Sequence, residues 1–107
     1  MEKINLLDEA KRVPALWDRV TPAHFNDYDV HVNRIQGEYV WHSHADTDDV
    51  LMVLSGRMIL QLRDGDVELG PGEIIVIPAG VEHRPTAPEE TIIMAIEPKG
   101  TPPSGNA

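Results

Sequence analysis

A chain of 107 residues has room for one domain and one modest core. With 41% apolar and 25% charged residues it belongs with folded proteins, not disordered ones. Its 18 acidic against 9 basic residues, a net charge of -9, repel phosphate backbones and anionic lipid, so neither nucleic acid nor a membrane surface is expected as a partner.

The chain has no cysteine, which removes disulfides, thiolate ligands and a cysteine nucleophile and fits a reducing compartment. The N-terminus lacks a signal-peptide run, and the longest apolar runs are about five residues, far short of a span. A cytoplasmic protein is expected.

One short helix opens the chain. Asn5 caps residues 6–13, Asp8 and Glu9 favour its first turn, and Leu6, Leu7, Ala10 and Val13 share a face. Pro14 ends it by pushing Val13 out of the helical region. Residues 1–18 are read as an N-terminal helical segment, 19–98 as a β-barrel domain and 99–107 as a loose C-terminal tail.

From Arg19 onward the pattern is strands and turns. Residues 20–25 carry Pro22, which belongs on a sheet edge. Asn26-Asp27 turns into an alternating strand over 28–35, Gly37 interrupts, and a strand resumes over 38–44. The apolar run 50–54 suits a strand buried on both faces. Ser55-Gly56 leads to a strand over 57–63, Asp64-Gly65 marks a hairpin into 66–69, and Gly70-Pro71-Gly72 turns into 73–77. Pro78-Ala79-Gly80 precedes 81–86, and Ala87-Pro88-Glu89-Glu90 is expected to turn before 91–96. At least seven short strands with regular turns indicate an all-β sandwich or barrel.

Chemistry concentrates in Trp41-His42-Ser43-His44-Ala45-Asp46-Thr47-Asp48-Asp49. On a strand, His42 and His44 present imidazoles to one side. The intervening loop lets Asp49 face back toward them, and His83 joins if its strand lies alongside. Three imidazoles and one carboxylate suit a single divalent transition metal ion (Fe, Mn, Zn, Ni, Co or Cu) with one or two positions left open. By composition alone, a lone His-x-His on a strand is more often solvated or hydrogen-bonded than a ligand, and the aspartates read as a charged loop.

These residues resemble the cupin superfamily. Its first motif runs glycine, His-x-His, Glu and a closing glycine, and Gly37, His42, His44, Asp49 and Gly56 follow it. The second, glycine, Pro-x-Gly, His and Asn, is followed by Gly72, Pro78, Gly80 and His83. The resemblance implies a double-stranded β-helix, the cupin jelly-roll barrel, with the short helix in front. It also implies His42, His44, Asp49 and His83 as the metal ligands. Three departures stand out: Asp49 replaces the usual Glu, Gly37 is one residue closer to His42, and Ala87 replaces the Asn. Asp48 is the rival carboxylate, but Asp49 keeps the usual distance to Gly56.

His24 and His31 lie outside the motifs and read as solvated or hydrogen-bonded; Glu82 and Arg84 read as a surface pair. By alternation Trp41 and Tyr39 face away from the histidines. The fold hosts many chemistries, so the expectation is a metal-dependent enzyme, dioxygenase- or isomerase-like, acting on a small organic molecule. The alternative is a non-catalytic module binding a sugar or acid, and a third reading is a barrel with a vestigial site. A homodimer is expected through edge or sheet-to-sheet contact.

Overall fold

The computed structural model describes residues 1–105. Helix α1 (Leu6–Ala10) is followed by seven strands: β1 (Arg19–Phe25), β2 (Tyr28–Glu38), β3 (Asp49–Ser55), β4 (Met58–Leu62), β5 (Gly65–Leu69), β6 (Ile74–Ile77) and β7 (His83–Pro98). Asn5 caps the helix by accepting from the Asp8 N–H at 3.0 Å. The helix stops earlier than expected, at Ala10, yet Ala10 and Val13 are both buried as their shared face requires. No helix among the described residues is long and apolar enough to cross a membrane.

All pairings are antiparallel, in the order β1-β2-β7-β3-β6, with β4 joining β7 and β5 joining β4. Strand β7 organises the barrel. Its residues His83 to Thr86 pair with β4, and Ile92 to Ile96 pair with β3, while β2 follows its other edge. One strand thus serves both layers of a jelly-roll barrel. The core of Ile35, Leu51, Val53, Met58, Leu60, Leu69, Ile77, Ala87, Ile93 and Ala95 lies between the layers.

Three expectations about local structure are corrected. The turn expected at residues 87–90 does not form, because β7 runs through it. The register between β2 and β7 slips there, so residues 88–90 stand opposite Gln36 alone. Pro88, which has no N–H to donate, sits in that unpaired stretch. The strand expected over residues 38–44 is not a separate one. Its start belongs to β2, and the rest is irregular apart from a bridge between His42 and His83. The segment after Pro98, expected to be loose, folds back. Lys99 N–H donates to Asp27 at 2.9 Å, Thr101 is buried, and Ser104 Oγ lies 2.7 Å from the Tyr39 hydroxyl. The expected tail also includes residues 106 and 107, which lie outside the described residues.

Candidate metal centre

Irregular backbone after β2 sets the histidine side of the site. Tyr39 N–H donates to Pro85 at 3.0 Å, and His42 and His83 exchange a pair of backbone bonds at 3.0 and 2.9 Å. Val40 and Trp41 therefore stand opposite the single residue Arg84, a β-bulge. The extra residue reverses the side-chain alternation, so Tyr39 and His42 share the inner face. Tyr39 was expected to face away; instead it meets His42 edge-on at 5.5 Å and stacks on Trp17 at 4.8 Å. Trp41 does face out, under the guanidinium of Arg63 at 3.8 Å. Glu82 and Arg84 also face away but are not partners: Glu82 pairs with Arg63 at 2.9 Å and Arg84 with Glu38 at 2.9 Å.

His42, His44 and His83 are all buried, and their ligand atoms lie within 4.8 Å of one another. His42 Nδ1 lies 2.9 Å from the Val40 carbonyl and His83 Nδ1 lies 2.9 Å from that of Val81. Each carbonyl takes the Nδ1–H and leaves Nε2 as the lone-pair nitrogen, the arrangement a metal-ligating histidine needs. Burial pushes the His83 imidazole down to about 4, despite the Val81 carbonyl, and His42 and His44 add to that. Burial likewise lowers His44, with Glu97 opposing and His42 assisting. Neutral imidazoles are the metal-binding form.

The carboxylate side is built on β3 and β7. Asp49 is buried at the start of β3, with Oδ2 3.5 Å from His44 Nε2. Asp48 is exposed and accepts from the Ala79 N–H at 2.9 Å, tying down the turn before His83. Of the two candidates, only Asp49 is brought to the pocket. It does not complete one tight cluster of four, however. The ligand atoms of His44, Asp49 and Glu97 form a second group within 4.8 Å that shares only His44 with the imidazole triad.

Glu97 did not emerge from the sequence. It is buried and takes Arg19 at 2.8 Å and His31 at 3.3 Å on the same oxygen, and Thr21 completes the chain 2.8 Å from His31 Nδ1. His31 is therefore a hydrogen-bonded link, whereas His24 is exposed. Burial raises the Asp49 carboxyl to about 8, reinforced by the charge and hydrogen bond of Glu97. Glu97 itself is held low: burial pushes it up, but the His31 bond, the charges of His31 and Arg19 and the Asp49 bond outweigh that. The available signal was positional, since Glu97 continues the inward-facing set Ile93, Ala95 at the end of the apolar run Ile92 to Ile96.

The donor chemistry fits a divalent ion. His44 Nδ1 and Asp49 Oδ1 are buried with no hydrogen-bond partner among the described residues, the state of groups awaiting a ligand. Beside them a cavity of about 60 Å³ is bounded by Trp17, Tyr39, Leu51, Ile93 and Pro103 and by the polar Arg19, Asn33 and Glu97.

This jelly-roll barrel with a buried imidazole triad defines a class, and the comparisons with known proteins agree. The cupin domain model matches residues 29–98, so the chain belongs to the cupin-domain family. The crystal structure of a cupin-2 domain containing protein from Shewanella frigidimarina NCIMB 400 superposes with a TM-score of 0.87 at 44% identity, covering 90% of this chain and 94% of that one. The uncharacterized protein YdbB of Bacillus subtilis (strain 168) is 30% identical over 96 residues, 89% of this chain and 85% of its own length. Acireductone dioxygenase of Rhodopseudomonas palustris (strain TIE-1) is 40% identical over 48 residues, which are 41% of this chain and 28% of that enzyme.

Proposed function

We propose that this cupin-domain protein is a metal-dependent enzyme acting on a small organic molecule, with one divalent ion on His42, His44, His83 and Asp49. The observation that carries it is the triad of buried imidazoles, two of them oriented through Nδ1 by local carbonyls. A divalent ion there supplies Lewis-acid polarisation of a substrate oxygen and, if redox-active, electrons for dioxygen. The local likeness to an acireductone dioxygenase favours the oxygen-dependent form of this reading.

The chain's own residues shape the substrate. The stacked Trp17 and Tyr39 offer a flat apolar shelf, and Ile35, Leu51, Ile93 and Ala95 add apolar lining to the pocket. Arg19 and Asn33 place polar groups on the opposite wall. A cavity of about 60 Å³ takes about five waters. The fit is therefore to a compact, planar, oxygen-bearing molecule.

The test is elemental analysis of protein purified without a histidine tag, followed by oxygen-electrode assays with small enediols and hydroquinones. Metal at one equivalent and oxygen uptake are expected. Metal with ligand binding but no turnover of any substrate would leave the non-catalytic binding module, and failure to bind metal would sink the reading whole.

A homodimer forms part of the proposal. Ladder neighbours Ile96, Val50 and Val76, with Met94, Met52 and Ile74 beside them, share the outer face of the large sheet, and Ile74 and Val76 are exposed. An apolar sheet face of this kind suits sheet-to-sheet packing with a second copy. Sedimentation should give a dimer at micromolar concentration and a monomer for Val76→Lys; a wild-type monomer would refute it.

A further inference from the structure

Two buried carboxyl groups, Asp49 at 5% exposure and Glu97 at 3%, place ligand atoms within 4.8 Å of each other and of His44, a spacing at which two acids away from water call for a cation. Three further observations say what that partner is. His44 belongs to both ligand groups, so the carboxyl pair adjoins the imidazole triad directly. Asp49 Oδ1 and His44 Nδ1 are buried and lack hydrogen-bond partners among the described residues. Glu97 spends one oxygen on both basic neighbours, Arg19 at 2.8 Å and His31 at 3.3 Å, leaving the other with no basic partner among the described residues.

A carboxylate that served only to neutralise Arg19 would need neither this depth nor a contact with a second acid. The guanidinium is about a quarter exposed and could be paired nearer the rim. Position 49 also carries the shorter acidic side chain, one methylene less than glutamate, and both carboxyls, Asp49 and Glu97, are grouped with His44 but with neither His42 nor His83.

We infer that Glu97 is a metal ligand of this site, a second carboxylate acting beside the short Asp49 on the His44 side, with Arg19 and His31 fixing its orientation. This rests on the reading that the imidazole triad holds an ion. Neither motif contains Glu97; it arrives from the far end of β7, opposite Asp29 of β2.

The experiment is cobalt(II) titration, followed by visible absorption and by competition with a chromophoric chelator. Wild type, Glu97→Gln, Glu97→Asp, Asp49→Glu and the double variant Asp49→Glu/Glu97→Gln are compared, with circular dichroism and metal-free melting as checks of folding. Glu97→Gln retains a hydrogen-bond acceptor for Arg19 and should weaken cobalt binding at least about tenfold and change the visible spectrum. Glu97→Asp keeps the charge that Arg19 and His31 require, so it holds the fold even if Gln does not, and it should show a comparable loss.

Asp49→Glu should restore most of the affinity in the Glu97→Gln background, because the longer arm regains the reach; a purely structural role for Glu97 predicts no such rescue. Folded Glu97→Gln or Glu97→Asp protein with wild-type affinity and spectrum overturns the inference, as does a loss that Asp49→Glu fails to rescue. In those cases abolition of binding by His42→Ala keeps the imidazole reading alive. A wild-type protein that binds no cobalt overturns both.

Discussion

On one wall of the pocket, His42 and His83 are each oriented by a carbonyl two residues upstream and are joined by two backbone bonds. On the other, Glu97 is oriented by Arg19, 78 residues away in the chain, and by His31 from a different strand. The imidazole wall is a local construction that needs one bridge between two segments. The carboxylate wall exists only after β1, β2, β3 and β7 have assembled in register. Damage to the first should therefore fall on ligand binding, and damage to the second on the fold as well.

The largest effect expected is loss of metal-dependent stabilisation on the imidazole wall. With free metal a thousandfold above the dissociation constant, binding to the native state alone stabilises it by about 4 kcal/mol. Each kcal/mol moves the melting midpoint of a domain this size by roughly 4–8 °C. His42→Ala, His44→Ala and His83→Ala should each abolish most of that shift in differential scanning fluorimetry with little change in the metal-free midpoint. Asp49→Ala should retain part of it, since three imidazoles still make a site. Equal shifts in all four would mean the ion binds elsewhere.

Next comes Glu97→Ala, measured without metal. It leaves His31 and Arg19 side by side with no carboxylate, and breaking a buried pair is costly. Because Arg19 is partly exposed, solvent screens some of the loss and about 2–3 kcal/mol is expected in urea unfolding. A value near zero would show that the carboxylate wall is not structural, and the contrast between the walls would collapse.

His83 and Asp49 respond oppositely to pH in the metal-free protein. The His83 imidazole drops from 6.5 to about 4 on folding, so its contribution is present above pH 6.5 and is lost as pH falls toward 4. The Asp49 carboxyl rises from 3.8 to about 8, so its contribution is present below 3.8 and is lost as pH climbs toward 8. Between pH 6.5 and 8 only the Asp49 contribution changes, and the melting midpoint should decline. Asp49→Asn should flatten that decline; a decline that persists in this variant would assign it to another group.

The smallest effect is reserved for Asp48→Ala. Its carboxylate is exposed and accepts one N–H, from Ala79, in the turn preceding His83. Losing that bond should cost at most about 1 kcal/mol and leave metal affinity unchanged. A loss of affinity here matched by retention in Asp49→Ala would transfer the carboxylate to position 48.

Much of this was legible in the residues themselves. Glycine and proline punctuation marked out the strands, Asn5 announced the helix cap, and the spacing of His42, His44 and His83 led to the buried imidazole triad. These signals are local, because turn residues and capping side chains act within a few positions of themselves. Even the histidine orientation is local, through the carbonyls of Val40 and Val81.

Tertiary structure decided the rest. The bulge at Val40-Trp41 turned Tyr39 inward, and a one-residue change of register reverses every later side chain without any mark in the alternation. Pro88 read as a turn because nothing near it reveals that β7 passes from β4 to β3 at that point. Glu97 drew no reading from the sequence, since its partners Arg19, His31 and Asp49 come from three other strands. Local propensity cannot carry contacts of that sequence separation; they exist only when the barrel has closed.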